Sequence, residues 1–200
     1  MQPAMAERIR HQAAQPTGVF GRWMGELMAL TNRPRNRWLI DQLDLQPRFH
    51  GLEFGFGNGE VLKAFLERST DSTAVGIDWS EAMVEAARAR NAVAIRDGRL
   101  TAQRGDITQA NCAIGGEYDR VWSSNVIQIV SDRADLFGRL RLALKSRGVL
   151  ATCFEPRGRD APRPPDFARQ LEQEKLAVGF GKVETRWMHD RQAFCVLAKR

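Results

Sequence analysis

One eleven-residue stretch, Gly51-Leu-Glu-Phe-Gly-Phe-Gly-Asn-Gly-Glu-Val61, constrains this chain more than any other segment. Apolar residues lead into it, glycines alternate at Gly55, Gly57 and Gly59, and a helix-forming run opens at Glu60. The pattern predicts a buried strand, a glycine loop and a helix start. Glycine lacks a Cβ, so a ligand can lie against the backbone, and a positive φ carries no steric penalty. The following helix, expected over 59–68, aims its free N–H groups at the same loop.

Two ligand classes compete for such a loop. A nicotinamide or flavin site uses GxGxxG, with a pyrophosphate seated on the helix N-terminus. Here the place of the third glycine is taken by Glu60, and Glu53 stands two residues before Gly55. Two carboxylates suit a pyrophosphate badly and a ligand with a positive amino group well. S-adenosylmethionine carries such an ammonium beside a cationic sulfur. The next apolar run, Thr73-Ala-Val-Gly-Ile-Asp78, ends in an acid about 20 residues beyond the loop. In a βαβ unit that acid sits at the carboxyl end of the second strand, where it can accept hydrogen bonds from both ribose hydroxyls of a nucleoside. The rival role, capping the helix that begins near Ser80, is one Ser80 can fill itself. A third acid, Asp106, closes the next expected strand. It can accept from an adenine amino group while Ile107 packs on the ring; the rival reading is a plain turn aspartate.

Together these residues resemble the class I S-adenosylmethionine-dependent methyltransferases, from about Trp38 to Pro156 and, by strand count, beyond. The resemblance implies S-adenosylmethionine as cofactor and methyl transfer as the reaction. It implies that Glu53, Gly55, Gly57, Gly59, Asp78, Trp79, Asp106, Ile107 and Asn125 bind the cofactor. The segment Ser123-Ser-Asn125-Val-Ile-Gln128 matches the family's stretch against the methionine moiety and the acceptor. The run Gly21 to Trp38 is similar to the helical front segment of small bacterial methyltransferases. One departure is Asn111-Cys-Ala-Ile-Gly-Gly116, which replaces a more usual Leu-Pro-Phe-type stretch near the adenine.

The order of elements agrees with that fold. Strands are expected at about 50–55, 73–78, 100–104, 119–124, 148–155, 181–188 and 192–198, and helices at 59–68, 80–90, 132–145 and 166–178. Alternation of strand and helix implies a doubly wound, mostly parallel seven-stranded sheet of α/β class. Only a tight turn near His189-Asp-Arg191 separates the last two strands, so that pair must be antiparallel. Ahead of the sheet, Val19 to Asn32 carries Phe20, Trp23, Met24, Leu27, Met28 and Leu30 at near-helical spacing. Pro34 is expected to interrupt it before a second helix from Arg35 to Leu43. The division expected is an N-terminal helical cover over 1–46 and a Rossmann-like cofactor domain over 47–200, forming one globular domain.

Composition narrows the function classes. With 43% hydrophobic residues the chain can build a core, and no apolar run reaches the 18 residues or so of a membrane span. The first ten residues carry charges where a signal peptide needs an apolar stretch. Cys112, Cys153 and Cys195 show no metal-like spacing, so no metal site is expected, and free thiols favour the cytoplasm. The net charge of +6 raises nucleic acid as a partner. Its densest patches, Arg33, Arg35 and Arg37 and then Arg157, Arg159 and Arg163, lack interleaved aromatics. The plain reading is a solvated basic face, with an acidic or phosphorylated small substrate as its rival; a small-molecule acceptor is expected rather than nucleic acid.

Ligands of open α/β sheets lie outside the carboxyl ends of the strands, which sorts the remaining candidates. His50 and Tyr118 precede their strands and fall at the wrong edge. Asn125, Gln128, Glu155, Arg157 and His189 follow strand ends, and His11 lies in the front segment. Catalytic roles are expected for Asn125, with His189 or His11 as a general base where the acceptor must lose a proton. For Glu155 the rival is pairing with a nearby arginine. Other readings are a catalytically silent cofactor-binding module, in which Trp122 or Phe56 would block the acceptor pocket, an RNA methyltransferase, and a nicotinamide-dependent oxidoreductase.

Overall fold

The computed structural model describes residues 32–157 and 161–200. A helix over 32–42, α1, is the first described element. Then follow β1 (His50–Phe54), α2 (Glu60–Arg68), β2 (Thr73–Asp78), α3 (Glu81–Arg90), α4 (Ala92–Arg96), β3 (Leu100–Arg104) and β4 (Tyr118–Ser124). The second half runs α5 (Arg133–Ala143), β5 (Leu144–Phe154), α6 (Pro164–Ala177), β6 (Lys182–Met188) and β7 (Ala193–Lys199). Short 3₁₀ turns at Ile127–Ile129 and His189–Arg191 follow β4 and β6.

The seven strands form one sheet in the order β3-β2-β1-β4-β5-β7-β6. Neighbours from β3 to β5 are parallel, while β7 is antiparallel to both β5 and β6. The doubly wound sheet with a reversed last strand is thus the one expected. Alternation along each strand builds a core on both faces. In β7, Phe194, Val196 and Ala198 face one cluster with α5 and α6, through Leu136, Phe137, Phe167 and Leu171. Cys195 and Leu197 face the other, with Leu39, Ile40 and Leu43 of α1 and Val61, Leu62 and Phe65 of α2. Trp122 of β4 is fully buried there, its ring 4.7 Å from that of Phe65. A Cβ on Gly51 would stand 2.6 Å from the same indole, so glycine makes room for the largest core side chain.

Several expectations change. Pro34 lies inside the described helical run rather than breaking it; the apolar face formed by Leu39, Ile40 and Leu43 keeps the segment on the sheet. The helix expected to 145 stops at Ala143, and β5 begins at Leu144. Tyr118 pairs with Leu144 but Arg120 with Val149, so β5 bulges over residues 145–148, with Arg147 at φ 67°. The short α4 was not expected. His11, Trp23, Met24 and Met28 lie outside the described residues, as does Arg159.

Cys153 and Cys195, 42 positions apart in sequence, face each other across the β5–β7 ladder as free, buried thiols. At the amino edge, His50 stacks on Tyr118 at 4.7 Å and pairs with Thr73, a packing role as expected. Among the described residues no helix is long and apolar enough to cross a membrane.

Candidate active site

The order of strands reverses between β1 and β4, and an open α/β sheet leaves a crevice at the carboxyl ends there. The glycine loop occupies that position. Gly55 N–H donates to Ile77 O at 2.8 Å, tying the loop to the tip of β2. All three glycines have positive φ, between 55° and 74°, but their missing Cβ atoms serve different ends. At Gly55 a Cβ would meet Val126 at 2.3 Å, and at Gly59 it would meet Ala87 and Asn91 at 2.7 Å. Those two let the loop touch the segment after β4 and let α2 approach α3. At Gly57 nothing lies within 4 Å; this glycine faces open space.

Asp78 turns back toward the loop from the end of β2. Its carboxylate accepts from Gly57 N–H at 2.8 Å and from Ser80 N–H at 2.9 Å, so it holds both the loop and the start of α3. Burial outweighs these donors and raises its carboxyl from 3.8 to about 6. Glu53, on β1, is only 1% exposed, and its Oε2 has no hydrogen-bond partner. Burial drives its carboxyl well above the ordinary range. The Trp122 indole faces it from the paired strand outside hydrogen-bond geometry and offsets burial only in part, while Asp78 and Glu60 push the carboxyl higher.

The tip of β4 adds further unmatched polar atoms. Ser124 Oγ and Gln128 Oε1 are buried without partners, while Gln128 Nε2 donates to Asn125 O at 2.8 Å. A buried polar group without a partner costs about 1–3 kcal/mol. The unmatched oxygens of Glu53 on β1, of Ser124 at the end of β4 and of Gln128 in the turn that follows each suit a ligand that brings N–H donors. An ammonium meets that need, and the open face of Gly57 leaves space at the loop that Asp78 holds.

Asn125 differs from the expectation of a catalytic side chain. Its backbone is left-handed, at φ 55°. Its amide donates to Glu155 O at 3.1 Å and accepts from Glu155 N–H at 2.8 Å. Both ends of the amide are thus committed to clamping the strand tips of β4 and β5 together. Glu155, 8% exposed, takes the arginine pairing weighed as its rival role. It accepts from Arg35 at 3.3 Å and from Arg191 at 2.8 Å, and Arg157 stands at 3.5 Å. Glu60 also differs: it is bound by Arg33 at 3.2 Å and Asn36 at 3.3 Å, which draws its carboxylate to α1 instead of a ligand.

At the third strand tip, Asp106 is exposed and caps its own turn. One oxygen accepts from the Thr108 N–H and hydroxyl and the other from Gln109. Burial alone would raise its carboxyl, but these donors hold it below the ordinary range. The turn-aspartate role is therefore filled, although a carboxylate has about four acceptor positions in all. Ile107 is buried in the core cluster beneath, and Trp79 beside Asp78 is 39% exposed. The unusual stretch 111–116 places Cys112 near Gly105 and lets Ile114 O accept from the Tyr118 hydroxyl at 2.7 Å. His189 is exposed in the turn after β6, at the carboxyl edge but on its outer strands. Trp122 and Phe56, the side chains that could have blocked a pocket, are both in the core. A hollow of about 210 Å³ lined by Arg120, Arg147 and Lys182 opens at the opposite, amino edge and is remote from the loop. No group of three or more potential metal ligands occurs among the described residues.

Sequence reasoning missed the gathering of arginines on Glu155. Arg35 and Arg157 come from the two basic patches but Arg191 from neither, and nothing in the chain's order says that the three meet.

Known proteins resemble this chain in sequence and in fold. A family model described as a methyltransferase domain matches residues 52–150. The uncharacterized methyltransferase YdaC of Bacillus subtilis (strain 168) is 30% identical over 180 residues, covering 88% of this chain and 97% of the relative. The trans-aconitate 2-methyltransferase of Acidovorax ebreus (strain TPSY) is 30% identical over 149 residues, 74% of this chain. The match spans only 47% of that relative's length. Among solved structures, a SAM dependent methyltransferase from Aquifex aeolicus superposes with a TM-score of 0.66 at 16% identity, covering 82% of this chain and 88% of the other, a likeness of fold. The chain therefore belongs to the class I S-adenosylmethionine-dependent methyltransferase family and is an enzyme whose cofactor is S-adenosylmethionine.

Proposed function

We propose that this enzyme transfers a methyl group to a small-molecule acceptor in the crevice at the carboxyl ends of β1, β4 and β5. The observation that carries the reading is the pair of buried acids at adjacent strand tips, Glu53 with an unmatched oxygen and Asp78 against the glycine loop. Bound there, S-adenosylmethionine supplies an electrophilic methyl group. Asp78 takes the two ribose hydroxyls while keeping Gly57 and Ser80 in place. Glu53, Ser124 and Gln128 receive the amino-acid end. Gly57 lets the backbone approach, Trp79 and Ile107 flank the base, and Asp106 accepts the adenine amino group on its remaining lone pairs.

The protein's work is then alignment. Holding two reactants in an attack geometry is worth about 7–11 kcal/mol in favourable cases. Asn125 acts as a positioning residue, because it fixes the tip of β5 against that of β4. His189 is the described side chain available as a base, and it serves only acceptors that must lose a proton. The trans-aconitate methyltransferase among the relatives supports a small acceptor. Residues 1–46 supply a cover and 47–200 the cofactor domain in this reading, and the enzyme works in the cytoplasm.

The test is calorimetric titration of the purified chain with S-adenosylhomocysteine. Binding that falls tenfold or more in Asp78→Ala is expected. Absence of binding by the unaltered chain, or unchanged affinity in the variant, refutes the assignment.

A further inference from the structure

The hollow of about 210 Å³ at the amino edge of the sheet stands apart from the cofactor crevice. The end of α1, β4, the first half of β5 and the paired ends of β6 and β7 wall it. Leu43, Val149 and Leu197, all buried, give it an apolar part. The rest is charged: five cations, Arg120, Arg147, Lys182, Arg186 and Lys199, against two acids, Asp44 and Glu184.

Both acids already face cations. Glu184 holds Lys182 at 3.0 Å and Arg186 at 2.6 Å, and these two donors keep its carboxyl below the ordinary range. Burial lowers the pKa of Arg120, and Asp44 and Asp119 offset that. The Arg120 guanidinium itself donates to the backbone oxygens of Leu43, Asp119 and Asp44. Arg147 and Lys199 make no side-chain hydrogen bond or ion pair among the described residues.

Two features gather this charge against local preference. Lys182 and Lys199 are direct cross-strand partners in the antiparallel pair of β6 and β7, and like charges placed opposite each other destabilise a sheet. Arg147 stands in the bulge of β5 at φ 67°, a left-handed backbone that is uncommon outside glycine. Bulges re-aim side chains beside functional sites. An anion between these groups would relieve the repulsion and give two cations a counter-charge. Lysine binds phosphate as a point charge, whereas a planar carboxylate is matched by an arginine fork. Cations arriving separately from β5, β6 and β7 suit the several directions of a tetrahedral phosphate.

We propose that this hollow is a second ligand site, which takes a phosphate-bearing small anion on Arg147, Lys182 and Lys199. It lies outside the methyl-transfer crevice and goes beyond the reading given above. Phosphate oxygens sit between Lys182 and Lys199 and accept from Arg147, while Glu184 holds Lys182 in place from the next position on the same face of β6.

The experiment is calorimetric titration with pyrophosphate, ADP and citrate at physiological ionic strength, with and without S-adenosylhomocysteine. One pyrophosphate per chain is expected to bind, tenfold or more tightly than citrate and equally well with or without S-adenosylhomocysteine. Arg147→Gln and Lys199→Gln, both at exposed positions, should each weaken it tenfold or more. Arg169→Gln, an exposed charge on α6, should leave it unchanged. On the chain loaded with S-adenosylhomocysteine, tighter binding of ADP than of pyrophosphate assigns the site to nucleotides and the reverse assigns it to free pyrophosphate; both support the proposal. No binding of pyrophosphate, citrate bound as tightly, displacement by S-adenosylhomocysteine, or the same loss in Arg169→Gln overturns it. Failure to bind S-adenosylhomocysteine overturns the methyltransferase reading alone, and the pyrophosphate titration then decides this proposal by itself.

Discussion

Cofactor uptake should expel a proton, and the structure sets how much at which pH. Asp78 is buried with its carboxyl raised to about 6. Two backbone N–H groups already donate to it, and two ribose hydroxyls would donate as well. Four donors on one carboxyl require the ionised form, because a protonated carboxyl turns one of its own oxygens into a donor. With a pKa near 6, about nine-tenths of the free protein holds this proton at pH 5, about half at pH 6 and about a tenth at pH 7. Binding therefore releases about half a proton from Asp78 at pH 6, and affinity falls about tenfold between pH 8 and pH 5. Glu53, also raised by burial, adds to the release when it meets the ammonium. The assay is calorimetry at pH 6 in buffers of differing ionisation enthalpy, with Asp78→Asn as control. An apparent enthalpy independent of buffer, together with an affinity flat from pH 5 to 8, would refute the argument. For folding the sign is opposite. A carboxyl raised from 3.8 to about 6 binds more protons folded than unfolded in that window, so stability falls as pH rises through it. About 3 kcal/mol is lost by pH 7. Asp78→Asn should then bind cofactor poorly while unfolding at a temperature no lower than the unaltered chain in thermal melts at pH 7.

Other substitutions separate binding from folding. Gly57→Ala places a methyl in open space at φ 55°, at a cost of about 1–2 kcal/mol. It should fold yet lose cofactor affinity, whereas Gly59→Ala collides with Ala87 and Asn91 and should show up in denaturant melts as a larger loss of stability. Lys175 is fully buried, donates to Thr152 and to Val196 O, and has a pKa lowered by burial to about 7. Between pH 7 and 10.5 the unfolded chain binds more protons there, so stability should rise with pH by up to about 1.4 kcal/mol per unit; Lys175→Met should flatten that rise in pH-resolved melts. A thiol reagent should label only Cys112 in the native protein, since Cys153 and Cys195 are buried and burial pushes the Cys153 thiol up to about 12. Labelling of all three before unfolding would contradict that packing.

What was legible in the sequence was whatever depends on local chemistry. A strand followed by alternating glycines, and acids at the ends of apolar runs, fixed the position of Asp78 and Glu53 at neighbouring strand tips. A turn too short for a crossover forced the antiparallel end of the sheet. What could not be read depends on partners distant in the chain. Glu60 has the same local pattern whether it meets a ligand or Arg33 and Asn36, 27 and 24 positions away. Asn125 follows a strand end like a catalytic residue, and only the folded chain shows its amide used up on a backbone 30 positions on. The boundary between α5 and β5 was missed because Leu142, Ala143 and Leu144 fit either period, and the bulge that decides the matter arises from pairing with Tyr118.

The first turn of α1 spans the two sides of the crevice. Residues 33–36 bind one side of the crevice through Glu60 and the other through Glu155, while Leu39, Ile40 and Leu43 fasten the same helix to the sheet. The contacts differ in strength. The Arg33–Glu60 pair is half exposed on the arginine side, and such pairs contribute about 0–1 kcal/mol. The Arg35–Glu155 pair is buried, where removal of one partner costs about 3–5 kcal/mol. The helix is therefore anchored firmly at Glu155 and loosely at Glu60.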